Sequence, residues 1–445
     1  MLLSELESRD IAVLGAGREG LAAWRWLRQH FPEKCITIYD ELAARQELAE
    51  QLSGPKDRLV TGPFEVSSLQ KHDLLIRSPG ISPYRSELIE LRELGVPFSS
   101  ATNLWFAQHP DAKTICITGT KGKSTTSALV AHLLNSAGCA VRLAGNIGQP
   151  LLNCPDIGVE WWVIELSSYQ LVDLQARPDI AAILNLTDEH LDWHGSSRVY
   201  RHDKLRIASL ASDAPLIANH ADEQLLEYLA ERKNVCWFGA EDGFHVSDNE
   251  LWHDRQRIGP VPRQSLPGPH NLANLAAALT IVEQAGYKIE NLAHCLGSFT
   301  GLPHRLQSCG HRNGISFVND SLSTTPVATV AALEALEGER VILLVGGMDR
   351  GVDWRPLMPH MKEHLPFAVV CLPDNGAGIA RVMNESELDP PGGVHCTASL
   401  EEAMSLAAGL AIAGDTVLLS PGAPSFPRFR DYEERGRQFT ELAGL

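Results

Sequence analysis

Residues 117–126 read ITGTKGKSTT, in which two glycines, a lysine and two hydroxyls fall at the spacing of a phosphate-binding loop. Gly119 and Gly122 let backbone N–H groups approach phosphate oxygens, Lys123 is placed to reach the terminal phosphates, and Ser124 or Thr125 is placed to hold Mg²⁺. The full pattern G-x-x-x-x-G-K-[ST] would put glycine at Ile117. Losing it shortens the loop, because the turn can begin at Gly119. The alternative is a glycine-rich turn with a solvated lysine.

A second glycine motif, GAGREG at Gly15–Gly20, follows the apolar run IAVL and precedes LAAWRWLRQHF, with Asp40 about 20 residues further on. A strand, a tight turn and a helix N-terminus in that order can hold a diphosphate. Three readings stay open from these residues: NAD, another nucleotide diphosphate, or a turn with no ligand.

Phosphate chemistry also needs groups that serve a cation. Glu165 closes the run WWVIEL, and His190 lies in NLTDEHLDWH just after IAAILNL. Both fall at carboxyl ends of expected strands, where open α/β sheets build their sites, and both could serve Mg²⁺. Asp188, Glu189, His194 and His202 crowd the same segment, so spacing does not choose among them, and His190 taken alone reads first as a surface or capping histidine. Lys204 in YRHDKLRI has the ordinary reading of a solvated helix lysine. The segments Asn319–Ser321 (NDS) and Ser420–Phe426 (SPGAPSF) follow strand-like runs and serve as binding loops or as turns.

The elements that must position these residues alternate. Strand-like runs IAVL, CITIYD and LLIRSPGI with helical segments between them make a first α/β unit. TICITGT, the helical KSTTSALVAHLLNSAG, WWVIEL and IAAILNL make a second, which ends in a helix opened by Gly268, Pro269 and Asn271. ISFVND, RVILLVGG, FAVVCL and DTVLLSPG make a third after Pro303. Alternation of this kind predicts parallel, doubly wound sheets. The boundaries fall near residues 100 and 302, dividing the chain into 1–100, 101–302 and 303–445. The length of 445 residues fits about three domains.

A formal charge of −17 excludes a generally basic surface for nucleic acid, though not a local basic pocket. No apolar run approaches the ~20 residues of a membrane helix, and MLLSELESRD lacks the basic and apolar segments of a signal peptide. Nine cysteines without a C-x-x-C pair suggest neither a disulfide framework nor a zinc site. These features predict a cytoplasmic protein with no membrane or nucleic-acid partner.

Together the motifs, from GAGREG to DYEERGRQF, resemble the Mur ligases, ATP-dependent amide-forming enzymes of peptidoglycan synthesis, whose central loop is a shortened G-T-x-G-K-[ST]. Here Lys121 stands where asparagine is usual. ELSSYQL, NLTDEHLD, YRHDKLRI and the terminal SPxxxSF and DYxxRG patterns look like the MurD type, which adds glutamate to UDP-N-acetylmuramoyl-L-alanine. The resemblance implies a Rossmann-like first domain, a central P-loop ATPase-like domain and a Rossmann-like C-terminal domain. It implies that Gly15, Gly17, Arg18, Glu19, Gly20, Asp40 and Ser78–Gly80 bind the UDP end, so NAD is not expected. Asn146 and His190 would lie near the muramoyl group. Gly119, Thr120, Lys121, Gly122, Lys123, Ser124 and Thr125 would hold ATP, with Asn271, Asn274, Arg305 and Asp320 also contacting it. Ser124, Glu165 and His190 would serve Mg²⁺, as would Lys204, the lysine that the family carbamylates. Thr324, Arg350, Ser425 and Tyr432 would surround glutamate. Lys123, His190 and Lys204 are the expected catalytic residues, and a monomer is expected.

The third unit departs from the usual D-glutamate pattern. D-S-K-A-T-N reads Asp320-Ser321-Leu322-Ser323-Thr324-Thr325, GGMDRG carries Arg350 in place of lysine, and SPGAPSF replaces SPACASx. A planar guanidinium does not substitute for an ammonium at a carboxylate. These changes are similar to a MurD-type branch that adds L-glutamate and relies on a separate epimerase to invert it. L-glutamate is the expected substrate and D-glutamate the alternative. Remoter alternatives are a folylpolyglutamate synthetase, which lacks a UDP-binding first unit, and an NAD-binding regulator or enzyme.

Overall fold

The computed structural model describes residues 3–41, 57–261 and 269–445. The chain divides into two compact units, Met1–Val261 with Ala273–Cys295, and Pro262–Leu272 with Leu296–Leu445.

The first unit contains two parallel sheets. Strands β1 (Ile11–Leu14), β2 (Ile36–Asp40), β3 (Asp57–Thr61), β4 (Leu74–Arg77) and β5 (Phe98–Ser99) lie in the order β3-β2-β1-β4-β5. β1 and β4 are buried along their whole length. That is why IAVL and the first three residues of LLIR are continuous apolar runs instead of alternating ones. The helix Arg18–His30 lays Ala23, Trp24 and Leu27 against Ile11, Val13 and Ile36 in one core.

The second sheet joins β6 (Thr114–Thr118), β7 (Val141–Gly145), β8 (Trp161–Glu165), β9 (Ile180–Ile183), β10 (Leu216–Asn219) and β11 (Val235–Phe238) in the order β11-β10-β9-β6-β8-β7. Its register sets Ile117 opposite Glu165 and Thr118 opposite Ile183. The carboxyl ends of β6, β8 and β9 therefore open side by side, with the loop 119–122 between them and the helix Lys123–Ser136 leading away.

A three-stranded antiparallel sheet, β12 (His245–Ser247), β13 (Glu250–His253) and β14 (Gln256–Pro260), was not among the expected elements. Its turns run through Asp248-Asn249 and Asp254-Arg255, all with positive φ, the conformation that two-residue hairpins require. The helix Pro269–Gln284 starts on its proline, where a missing N–H costs nothing; Gly268 lies outside the described residues.

In the second unit, β15 (Gln307–Arg312), β16 (Ile315–Asn319), β17 (Val341–Val345), β18 (Ala368–Cys371), β19 (Val394–Cys396) and β20 (Thr416–Leu419) take the order β15-β16-β20-β17-β18-β19. Only β15 pairs antiparallel, at one edge. Apolar clusters around Leu343 and Ile342 cover the two faces. Among the described residues no helix is long and apolar enough to cross a membrane.

Candidate active site

The loop after β6 is fixed by its neighbours. The Thr120 N–H donates to the Asn185 carbonyl (3.1 Å), and its hydroxyl bonds the Thr187 carbonyl (2.9 Å) and the Tyr200 hydroxyl (2.7 Å). Gly122 has φ of 81°, and a Cβ there would lie 2.2 Å from Asn274 Oδ1. Asn274 therefore packs directly on the loop, where it also accepts from Thr126 Oγ1 (3.4 Å). Ser124 and Thr125 open the helix Lys123–Ser136. Lys121 turns outward to Glu189 (2.6 Å).

Two lysine side chains converge on one carbonyl. Lys123 Nζ donates to Gly119 O and Thr120 O, both at 2.9 Å, and Lys204 Nζ donates to Gly119 O, also at 2.9 Å. Lys204 is 2% exposed, which removes its reading as a solvated helix residue. Burial, reinforced by Lys123, holds its pKa well below the ordinary lysine value.

Glu165 ends β8 with 1% exposure. Its Oε1 accepts from Asn146 Nδ2 (2.7 Å), whereas Oε2 is buried with no hydrogen-bond partner. A carboxylate oxygen left so is costly unless a cation or donor meets it. A Cβ on Gly145 would lie 2.3 Å from the Glu165 carbonyl oxygen, so that glycine permits the approach of Asn146 to Glu165.

His190 takes a left-handed conformation (φ 56°), unusual for a non-glycine residue, and caps the short helix Leu191–His194. Partial burial, with Lys123 and Lys204 adding and Glu189 opposing, lowers its pKa. It is therefore neutral at pH 7 with a lone pair available. No cluster of three His, Cys, Asp or Glu side chains suited to a metal occurs among the described residues. Mg²⁺ does not require one: it commonly takes one or two carboxylates beside phosphate and water oxygens. The partnerless Glu165 oxygen and the neutral His190 fit that demand.

At the first sheet, the Gly15 N–H donates to Tyr39 O (2.7 Å), and Ser78 Oγ donates to Gly15 O (2.7 Å). A Cβ on Gly20 would fall 1.9 Å from Gly15 O, while one on Gly17 would meet nothing within 4 Å. The third glycine thus serves helix–strand packing and the second leaves backbone open to a ligand. Gly20→Ala is expected to lose at least the ~1–3 kcal/mol of ordinary overpacking, read as a lower first melting transition. Asp40 Oδ2 accepts from Ala16 N (2.6 Å). Arg18 reaches across to the carbonyls of Asn146 (2.8 Å) and Gly148 (3.2 Å), bringing the two expected substrate segments together. Partial burial raises the Glu19 pKa to about 7.

Two sets of neighbouring residues carried no sequence signal that singled them out. The buried Arg77 guanidinium binds the carbonyls of Ser78, Pro79 and Ile81 and pairs with Asp173 (2.9 Å), shaping the Ser78–Gly80 turn. Trp193 Nε1 donates to Gly80 O (3.1 Å). Asp203 accepts from Tyr84 (2.7 Å) and binds His194 (2.8 Å), whose other nitrogen meets Ser168 (3.0 Å). Only the density of His and Asp over 188–204 hinted at this network.

In the second unit, Asn271 is buried and Arg305 half-buried. Asp320 is buried and already engaged: Oδ1 accepts from Leu306 N (3.1 Å) and Oδ2 from Ser420 Oγ (2.7 Å) and Ser323 Oγ. In this arrangement its carboxylate pins the segment that carries Arg305. Burial raises its pKa to about 6. Ser425 lines a cavity at the strand ends, whereas Thr324 and Arg350 are not among its lining residues, and Arg350 is exposed. The Tyr432 ring stands edge-on to His304, with centroids 5.9 Å apart.

Three family profiles match the chain: Mur ligase MurD-like, N-terminal domain over residues 9–100; Mur ligase middle domain over 117–282; and Mur ligase, glutamate ligase domain over 304–422. A protein of Xanthomonas oryzae pv. oryzae (strain MAFF 311018), named UDP-N-acetylmuramoyl-L-alanine--L-glutamate ligase, is 42% identical over 456 residues, spanning 100% of this chain and 97% of that one. The chain belongs to the Mur ligase family. A second Mur ligase of the same name, from Salinispora tropica, is 37% identical across 99% of this chain and 98% of its own. The crystal structure of UDP-N-acetylmuramate-alanine ligase MurC from Thermotoga maritima shares the fold, with a TM-score of 0.60 at 19% identity, covering 98% of this chain and 99% of that chain. The expected α/β fold of a Mur ligase is the one observed. An NAD-dependent enzyme or regulator gives way to this family.

Proposed function

We propose that this Mur ligase forms the amide between UDP-N-acetylmuramoyl-L-alanine and glutamate, L-glutamate in preference to D-glutamate, at the expense of ATP. The observation that carries the reading is identity along the whole chain to a ligase named for that reaction. Leu322 and Arg350, where the D-glutamate pattern has lysines, support the L enantiomer. Residues 1–100 take the UDP end, 101–302 ATP, and 303–445 glutamate. The reaction is cytoplasmic, the enzyme is a monomer, and a separate epimerase then inverts the added residue.

In the first step the alanine carboxylate oxygen attacks the γ-phosphorus of ATP and the bond to ADP breaks, leaving an acyl phosphate. In the second, the glutamate amine attacks that carbonyl, loses a proton, and phosphate departs. Lys123 leaves its carbonyl partners for the transferring phosphoryl group and offsets its charge, the largest service a protein renders such a transfer. Gly119, Thr120, Lys121 and Gly122 present the loop to the phosphates, and Asn271, Asn274, Arg305 and Asp320 form the rest of the ATP site. Mg²⁺, held by Ser124, Glu165, His190 and a carbamylated Lys204, would neutralise phosphate charge when bound. Asn146 keeps Glu165 in position beside the muramoyl group. Gly15, Gly17, Arg18, Glu19, Gly20, Asp40, Ser78 and Gly80 receive the UDP diphosphate; Thr324, Arg350, Ser425 and Tyr432 receive glutamate.

ADP release tests this reading: it should require UDP-N-acetylmuramoyl-L-alanine and glutamate together. Release with ATP alone at the same rate would refute it.

Glu19 gives this site a pH dependence. Its folded pKa is raised above the ordinary value, so folding takes up a proton between about pH 4.5 and 7, and stability from this group falls as pH rises through that window. Above about pH 7 the carboxylate is anionic beside the turn that receives a diphosphate. Affinity for the UDP substrate is expected to weaken on the order of tenfold from pH 6 to pH 8. Glu19→Gln should flatten that trend in titration calorimetry, and an equal decline in both proteins would refute the assignment.

A further inference from the structure

Lys204 shares a helix face with a charged residue that the reaction above does not use. In the helix Ser197–Leu210, Tyr200, Asp203, Lys204 and Ile207 are all buried. Their three- and four-residue spacing puts them on one face. Tyr200 and Lys204 meet the phosphate-binding loop, through the Thr120 hydroxyl and the Gly119 carbonyl. Asp203 serves other neighbours. It is 1% exposed, and among the described residues no lysine or arginine pairs with it. His194 Nδ1 lies 2.8 Å from its Oδ2, the Tyr84 hydroxyl 2.7 Å from each oxygen, and His202 Nδ1 3.5 Å from Oδ1. A carboxylate only accepts, so Tyr84 and His194 Nδ1 both donate to it. In the neutral ring, His194 Nε2 then accepts from the Ser168 hydroxyl at 3.0 Å. Ser168 and His194 are buried as well.

This network stands beside the groups read above as serving Mg²⁺. Ser168 follows Glu165 by three residues, His194 follows His190 by four, and Asp203 immediately precedes Lys204. The His194 N–H also donates to the His190 carbonyl (3.1 Å). The segments after β8 and β9 and the helix Ser197–Leu210 are therefore tied by one run of hydrogen bonds. Tyr84 extends it to the first sheet. There the segment after β4 also meets Trp193, whose Nε1 donates to Gly80 O and whose carbonyl accepts from Ser82 Oγ (2.7 Å). As a source of stability, a buried polar network of this kind is matched or bettered by apolar residues of the same volume. What its directional bonds supply is a single arrangement of the segments that make them. Mg²⁺ demands near-ideal octahedral geometry, so small displacements of the groups that serve it matter.

We propose that Asp203 and His194 are positioning residues, which with Ser168 and Tyr84 hold Glu165, His190 and Lys204 at the mutual spacing that Mg²⁺ and the nucleotide phosphates need. The assignment rests on the reading of those three groups as serving the metal. It adds that the segment after β4 takes part, through the Tyr84 hydroxyl. Each member of the network acts through the group beside it and not on the substrate.

The test is calorimetric titration of the full chain with ADP, in the presence and absence of Mg²⁺, alongside steady-state ADP release. In the wild type Mg²⁺ should tighten ADP binding at least ~10-fold. Tyr84→Phe removes one hydroxyl from a ring that keeps its edge-on contact with Trp193, where the centroids are 6.2 Å apart. Asp203→Asn removes the charge and one acceptor. Each is expected to abolish most of the gain from Mg²⁺, since misplacing such groups by 1 Å costs up to ~10²-fold. Metal-free ADP affinity and KM for glutamate should stay within about twofold while kcat falls. If Asp203→Asn loses its thermal transition, Tyr84→Phe decides. Folded variants that keep the gain, or that lose metal-free affinity to the same extent, overturn the proposal and leave the network a packing role. A wild type whose ADP affinity does not respond to Mg²⁺ overturns the metal reading of Glu165, His190 and Lys204, and this proposal with it.

Discussion

Lys123→Ala is expected to lower ligation at least ~10²-fold, the scale of removing one preorganised electrostatic group from a transition state. The lysine tip bonds Gly119 O and Thr120 O within its own loop. Its loss leaves the anchors of Thr120 to Asn185, Thr187 and Tyr200 in place. The variant should fold with a melting temperature near that of the wild type, and kcat should fall more than KM for the UDP substrate changes. A folded variant with near wild-type turnover would remove the loop from the chemistry.

Lys204→Ala should cost a similar factor, by a different route. Burial, and after it the Lys123 charge, hold the Lys204 pKa well below the ordinary lysine value and so favour the neutral amine over the ammonium. The neutral amine is the form whose nitrogen can add to the carbon of CO₂, release a proton and become a carbamate anion. Conversion would set a negative charge close to Lys123, at a position where an ammonium is opposed first by burial and then by that lysine. Acetate or formate added to Lys204→Ala should then restore several-fold activity by supplying a carboxylate in the vacated space. Full activity of the variant, or a loss that no short carboxylate relieves, would leave Lys204 with a packing role.

The strands that carry the candidate site were legible because they are buried on both faces. TICIT, WWVIE and IAAI are continuous apolar runs, and the residues that follow each run fall at the opening by the geometry of a parallel sheet. The hairpins of β12–β14 were not, although Asp248-Asn249 is a readable turn pair; their strands are short and polar. β15 and β19, QSCGHR and VHC, were missed for the same reason. Arg435 belongs to the DYxxRG pattern, but its burial, like that of Arg77, could not be read from sequence. An arginine is ordinarily a surface residue, and only tertiary packing shows that these two are buried and what they bind. The burial of Lys204 was likewise invisible in the pattern YRHDKLRI and became plain from its distance to Gly119.

The identity of the amino acid tests the account most directly. With ATP and UDP-N-acetylmuramoyl-L-alanine saturating, ADP release is measured against L-glutamate and D-glutamate separately. An unpaired buried carboxylate costs enough to separate mirror images by about 10²–10³-fold, so kcat/KM for L-glutamate should exceed that for D-glutamate by this order. Faster turnover with D-glutamate would contradict the reading of Leu322 and Arg350, and release with neither would contradict the proposed reaction itself.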